Sequence, residues 1–276
     1  MLYHAREESV CLDGTDMHFA RFGTGSKPLV IIIGLLDGLK TVQGHALILA
    51  GFYRIFGKAF DVCVFARKDN LQPGYSIHDM ARDQKLAMDK LGITSAHVVG
   101  ISQGGMIAQW LAIDYPEAVK KLVIGVSLSR PNPTVTEVLR KWVEIAERED
   151  YSALMDDNMR KTYIGKRYRV FKRLIPLLKL IEGDGSFERF RIQAQACMAH
   201  DAYGQLDRIK APTLILGGKK DRITGPDSSE EMAKRIPNSR IFMYRDLGHG
   251  AYMETRDFNR RILAFLKRRS DGRKGK

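Results

Sequence analysis

The sequence predicts an α/β protein: a doubly wound, mostly parallel sheet with a helical insertion after the sixth strand. Three observations carry this. Short apolar runs rich in β-branched residues alternate with helix-period segments, as buried parallel strands do when helices cover both faces. Two opening runs read as an antiparallel hairpin. The alternation then stops for roughly seventy residues in the second half and resumes, a gap far longer than an ordinary βα connection.

Taken in order, Glu8–Leu12 and His18–Phe22 flank Asp13-Gly14-Thr15 and form the hairpin. Leu29–Ile33, Asp61–Phe65, His97–Ile101 and Leu122–Val126 are continuous apolar runs and read as buried parallel strands. Ser76 with Asp79 resembles a capping box opening a helix over Ile77–Leu91, and Gly92 stands where a C-cap glycine belongs. At Arg130-Pro131-Asn132-Pro133 the rhythm breaks, and Thr134–Leu206 is helix-period sequence without a strand. Strand patterns return at Pro212–Gly217 and Arg240–Tyr244, and a last helix runs from about Asp257 to Arg269. The expected organisation is therefore a core of residues 1–130 and 207–276, with 131–206 as a helical cap. Such an insertion lies over the carboxyl ends of the strands, where open α/β sheets bind ligands.

Composition narrows the class. The chain has 276 residues, 44% hydrophobic and 28% charged, which is an ordinary globular balance and excludes disordered or fibrous classes. Met1 to Glu8 hold no apolar h-region and no run reaches membrane-span length, so neither a secretory signal nor a span is expected. Cys11, Cys63 and Cys197 are far apart, odd in number and without a CxxC pair, which fits a reduced cytoplasmic setting. The net charge is +13, much of it in Arg160–Lys179 and in the tail from Lys267 to Lys276. With no nucleic-acid motif and no interleaved aromatics, these runs read as a solvated helix face and a frayed tail, and no nucleic-acid partner is expected. Attraction of anionic small substrates stays open, because the first run lies in the insertion. No cofactor is expected.

The chemistry begins at Gly100-Ile101-Ser102-Gln103-Gly104. By composition, a Gly-x-Ser-x-Gly string arises by chance in roughly one such chain in ten. Its context is what informs: an apolar strand runs into it and a helix runs out, as a nucleophile elbow needs. A serine hydroxyl needs a base within hydrogen-bond reach. Of seven histidines, His18 and His97 sit on or beside strands, and His4 is near the terminus. His45 and His78 open helices, and His200 lies in the insertion. Only His249, in Leu247-Gly248-His249-Gly250, occupies a loop just past a late strand. The orienting acid should follow a strand between serine and histidine, and Asp221 does so, ahead of Asp207, Asp227 and Asp246. Oxyanion donors would be the backbone N–H groups of Gln103 and Leu35, with Leu36 as the alternative for the second. Trp142 and Tyr203 read as packing residues of the insertion rather than substrate contacts.

These motifs, together with Tyr115-Pro116-Glu117, the run from Ile209 to Asp221 and Ile236-Pro237-Asn238-Ser239, resemble the cap-bearing α/β-hydrolases. That family includes esterases, enol-lactonases and carbon–carbon bond hydrolases. The resemblance implies Ser102, Asp221 and His249 as the triad, with Gln103 and Leu35 as oxyanion donors. Two positions depart from the family pattern. Ile33-Gly34 stands where His-Gly is usual, and Ala66 to Pro73 stands where Asp-x-Arg-Gly-x-Gly-x-Ser is usual. Serine at 102 separates the chain from the dehalogenases and epoxide hydrolases of this fold, which use aspartate. The expected function is hydrolysis of a small-molecule ester or lactone through an acyl-enzyme. The alternatives are carbon–carbon or thioester hydrolysis by the same residues, or a ligand receptor on the same scaffold.

Overall fold

The computed structural model describes residues 3–164, 167–169, 172–173, 175 and 185–268. Asp13 and Gly14 both take left-handed backbone, φ 51° and 80°. That two-residue turn has the twist a hairpin needs, and it joins β1 (Arg6–Leu12) to β2 (Thr15–Phe22) with Leu12 opposite Thr15. The six strands that follow are β3 (Lys27–Ile32), β4 (Phe60–Lys68), β5 (Ala96–Ile101), β6 (Val119–Gly125), β7 (Thr213–Gly218) and β8 (Ser239–Tyr244). They form one sheet in the order β1-β2-β4-β3-β5-β6-β7-β8, in which only β2 runs against the rest.

Successive strand residues point to opposite faces, and both faces are buried. Val30, Ile32, Cys63 and Phe65 join one apolar cluster; Leu29, Ile31, Val62 and Val64 join the other. The first face is covered by α2 (Ile77–Lys90) and α3 (Gln103–Asp114), the second by α1 (Ala46–Phe52) and a late helix (Arg256–Lys267). Ser76 caps α2 as expected, its Oγ accepting from Asp79 N at 3.1 Å while Asp79 Oδ2 accepts from Ser76 N at 3.0 Å. Beyond Leu91, Gly92 takes φ 70°.

One strand differs from expectation. β4 continues three residues past Phe65, through Ala66, Arg67 and Lys68. Two charged side chains at its end suggest a loop, but both are buried by partners from distant segments: Lys68 Nζ lies 3.2 Å from Asp83 Oδ1 of α2, and Arg67 joins a cluster described below.

The segment between β6 and β7 includes a 3-10 helix over Tyr203–Arg208 and the helices α4 (Pro133–Glu147), α5 (Tyr151–Thr162) and α6 (Phe187–Met198). Asn132, Asp150 and Ser186 cap them, each accepting from the amide three residues on. α4 and α5 are clamped by the buried carboxylate of Asp157. It accepts from Trp142 Nε1 at 2.8 Å, Lys141 Nζ at 2.6 Å, Arg160 Nη2 at 2.6 Å and Lys161 Nζ at 2.7 Å. The basic run is thus partly neutralised in place: Arg167 also pairs with Glu254, and Lys172 with Asp156. Residues 165–166, 170–171, 174 and 176–179 of that run, and 269–276 of the tail, lie outside the described residues. The remaining helices are α7 (Ser228–Arg235), α8 (Ala251–Glu254) and α9 (Arg256–Lys267). Among the described residues no helix is long and apolar enough to cross a membrane.

Candidate active site

The sheet order places β3 beside β5, and the chain leaves these two strands on opposite sides of that junction. This is where an open α/β sheet has a crevice outside its carboxyl ends. The loops leaving β3 and β5 carry Leu35 and Ser102.

Ser102 is the single residue between β5 and α3. It takes φ 56°, ψ −122°, a conformation rare for a residue with a Cβ. Its neighbours over-determine it. The Ser102 amide donates to Gly125 O at 2.9 Å, and its carbonyl accepts from Gly105 N and Ser127 Oγ, both at 2.8 Å. The turn is tight enough that glycine is required on either side. A Cβ on Gly100 would lie 2.3 Å from Gly104 O, and one on Gly104 would lie 2.0 Å from Ile32 O.

His249 follows β8, and its Nε2 is 3.1 Å from Ser102 Oγ. Its Nδ1 is 2.9 Å from Oδ2 of Asp221, which follows β7. The acid is itself held: Asp221 Oδ1 accepts from Ile223 N at 2.8 Å and Thr224 N at 2.9 Å, and Oδ2 from Thr224 Oγ1 at 2.9 Å. Burial pushes the Asp221 carboxyl upward. The attraction of His249 and the hydrogen bonds outweigh it, holding the acid below the usual carboxylate range. The three sequence-selected residues are therefore brought into one hydrogen-bonded chain, although 147 positions separate the serine from the histidine.

The competing residues are elsewhere. Asp227 stands at the start of α7, Asp246 pairs with Lys220 at the surface, and Asp207 is exposed. His18 pairs with Asp69, His78 with Asp114, and His45 bonds to Gln43 O. His97 meets the edge of Phe60, and His200 accepts from Trp110 Nε1.

Ser102 and His249 open into a cavity of about 330 Å³ between the sheet and the inserted helices. α4 contributes Val135, Leu139 and Trp142 to its wall; α1 contributes Ile48, Leu49 and Phe52. Trp142 thus packs within the insertion and also faces the cavity, whereas Tyr203 lies away from it, between Arg130 and Arg235. Leu35, Leu36 and Gln103 line the cavity beside Ser102. Leu35 opens a 3-10 turn and Gln103 opens α3, so their amides have no acceptor within their own helices.

Three further polar residues belong to the wall. Among the described residues, the hydroxyls of Tyr53 and Tyr252 and the amide of Asn158 have no hydrogen-bond partner, and all three side chains line the cavity. Burial raises both phenols, that of Tyr252 to about 12, so they are neutral donors. Tyr252 could have been suspected, since it lies three residues past His249.

Behind the loop after β3 sits a buried ionic cluster. Asp37 Oδ2 accepts from Arg189 Nη2 of α6 at 2.9 Å and from Arg67 N at 3.2 Å. Arg67 in turn donates through Nη2 to Ile33 O and to Gln103 Oε1, and Gln103 Nε2 reaches Gln193 O and Cys197 Sγ, both at 3.3 Å. Burial lowers Arg67 to about 10, which leaves it charged near neutrality.

Comparison with known proteins agrees with this architecture. A family model described as alpha/beta hydrolase fold matches residues 59–148, which include Ser102. A second, described as TAP-like protein, matches residues 190–274, which include Asp221 and His249. A 2-hydroxy-6-oxononadienedioate/2-hydroxy-6-oxononatrienedioate hydrolase from Pseudomonas sp is 30% identical over 203 residues, 68% of this chain and 69% of that protein. Among solved structures, MGS-M2, an alpha/beta hydrolase enzyme from a Medee basin deep-sea metagenome library, superposes with a TM-score of 0.84 at 22% identity, covering 95% of this chain and 98% of its own. The enol-lactonase from Burkholderia xenovorans LB400 gives 0.80 at 20% identity, covering 95% and 100%. The chain belongs to the α/β-hydrolase fold family. It is an enzyme, and its activity is hydrolytic.

Proposed function

We propose that this enzyme is a serine hydrolase that cleaves an ester or lactone through an acyl-enzyme. The observation that carries the reading is the hydrogen-bonded chain from Ser102 Oγ through His249 to Asp221, opening onto the apolar cavity. Ser102 Oγ attacks the substrate carbonyl while His249 Nε2 takes its proton, and Asp221 holds the imidazole with Nε2 facing the serine. The carbonyl oxygen becomes an oxyanion held by the amides of Gln103 and Leu35, with Leu36 as the alternative second donor. As the tetrahedral intermediate collapses, the carbon–oxygen bond breaks and His249 returns the proton to the leaving alkoxide. Water then attacks the acyl carbon with His249 as base, and the acid leaves Ser102.

Residues 131–206 act as the cap in this reading. A small-molecule substrate reaches Ser102 beneath them, with no nucleic acid involved. A cytoplasmic setting is supported by three cysteines without a disulfide, two of them buried. The test is covalent: a fluorophosphonate should add to Ser102, and Ser102→Ala should abolish both labelling and p-nitrophenyl acetate turnover. Undiminished turnover in that variant overturns the assignment.

One observation favours a second reading, hydrolysis of a carbon–carbon bond by the same residues: the 30% identity to a hydrolase whose name specifies an oxo-dienedioate. Negligible ester turnover beside rapid cleavage of a vinylogous diketone would select it.

A further inference from the structure

The related hydrolase is named for a dicarboxylate, yet the described wall of the cavity around Ser102 offers no permanent positive charge to pair with a carboxylate. Among the described residues, no lysine or arginine lines it. Among the same residues its one acidic wall residue is Asp37, which is buried and engages Arg189 and Arg67 through Oδ2. Neither guanidinium is among the lining residues: Arg189 gives its donors to Asp37, Lys68 O and Arg67 O, and Arg67, whose Nε and Nη1 are buried without partners, turns Nη2 to Ile33 O and Gln103 Oε1. Asp37 Oδ1 is left without a hydrogen-bond partner and belongs to a carboxylate, which would repel another; Tyr53 Oη, Tyr252 Oη and the Asn158 amide, also unpartnered on the described wall, are neutral. The apolar lining also runs out to the surface, where Leu36, Ile48, Phe52 and Met253 are large exposed hydrophobic side chains at the rim.

From this wall we infer that the enzyme selects uncharged, predominantly apolar esters or lactones, with Tyr53 and Tyr252 donating to a neutral oxygen of the substrate, and that it discriminates against substrates bearing a carboxylate. The physical reason is desolvation. An ionised carboxylate entering an apolar cavity gives up its water and finds no counter-charge, whereas an ester group of the same size gives up far less and can accept from a phenol. Among the described residues of the cationic run, Arg160, Lys161, Arg167 and Lys172 are paired with Asp157, Glu254 and Asp156, and Arg169 and Arg173 are not in the cavity lining.

The inference rests on the ester-hydrolase reading for its chemistry, but the charge preference can be measured without it. Mono-p-nitrophenyl adipate and its methyl ester, methyl p-nitrophenyl adipate, have the same acyl chain and differ in one negative charge. Initial rates with the native enzyme should give a kcat/KM for the neutral diester at least 100-fold above that for the anion. Calorimetric binding of the same pair to Ser102→Ala, which leaves them intact, should show the neutral compound binding at least 30-fold more tightly. Equal or preferred binding of the anion, or no binding of the neutral compound, overturns the inference. Failure of fluorophosphonate to label Ser102 in the native enzyme overturns the acyl-enzyme reading instead, and leaves the binding comparison valid.

Discussion

Arg67 Nη2 donates to the side-chain oxygen of Gln103 and, from the same nitrogen, to the carbonyl of Ile33. One buried guanidinium thereby ties the segment after β3, which carries the Leu35 amide, to the residue that follows Ser102. These are the two backbone donors proposed for the oxyanion, and their separation must match the intermediate to within a fraction of an ångström to be effective. Gln103→Ala keeps the backbone amide and removes only the tether, which also reaches Gln193 and Cys197 of α6. It should lower kcat by about tenfold, less than the ~100-fold or more of losing a donor outright, with KM within about twofold. Steady-state kinetics separates the two constants. A rise in KM at constant kcat would mean that Gln103 serves substrate binding and not the positioning of the hole.

Asp221→Asn should leave the fold intact and remove most of the activity. The asparagine oxygen can still accept from the amides of Ile223 and Thr224, so the loop after β7 keeps its anchors. Facing His249 Nδ1, however, an amide NH2 favours the tautomer with the proton on Nε2, which cannot accept from Ser102. A loss in kcat of about 10³–10⁴ is expected, read as ester turnover beside an unchanged melting temperature. Activity within tenfold of the native enzyme would show that Asp221 is not the orienting acid.

Legibility in the sequence followed chain order. Ser102, Asp221 and His249 each sit just past a recognisable strand, and that position, with the Gly-x-Ser-x-Gly string and the glycines around His249, selected them. Asp13-Gly14 and Ser76 with Asp79 were readable because a turn and a cap are local. The cluster of Asp37, Arg67 and Arg189 was not: its members lie on a loop, a strand end and an inserted helix, and 152 positions separate Asp37 from Arg189. No local spacing encodes such a contact. For the same reason Arg67 and Lys68 looked like loop residues, although partners on other elements bury them at the end of β4. Tyr53 and Asn158 were silent too, since which face of a short helix meets a cavity depends on how the insertion packs.

The backbone at Ser102 supplies a stability test. A residue with a Cβ held at φ 56°, ψ −122° carries strain of about 1–3 kcal/mol, which glycine relieves and alanine does not. Glycine also makes the unfolded chain more flexible, which offsets about 0.4–1 kcal/mol of that gain. Ser102→Gly should therefore melt above Ser102→Ala by about 2–4 °C, the shift that ~1 kcal/mol produces in a chain of this size. Calorimetric melting of the two inactive variants makes the comparison. Equal melting temperatures would mean that the anchors from Gly125, Gly105 and Ser127 do not hold the turn under strain.

Asp157 gives the insertion a pH dependence with a defined sign. Burial raises this carboxyl, but hydrogen bonds from Lys141, Lys161, Trp142 and Arg160 outweigh it and hold it well below the ordinary range. A depressed carboxyl contributes stability that is complete above its unfolded value of about 3.9 and is lost as the pH falls towards the folded value. Lys141 and Arg160 are about half exposed, so solvent screens much of their pairing. The buried bond to the Trp142 indole is the part that solvent weakens least. Asp157→Asn should therefore be less stable than the native enzyme by about 2 kcal/mol at pH 7. That gap should narrow steadily below pH ~4, as the native carboxyl takes up its proton. Urea midpoints for the pair at pH 7, 4 and 2.5 measure it. A gap of constant size across that range would show that the Asp157 charge contributes nothing to holding α4 against α5, and that its hydrogen bonds act through geometry alone.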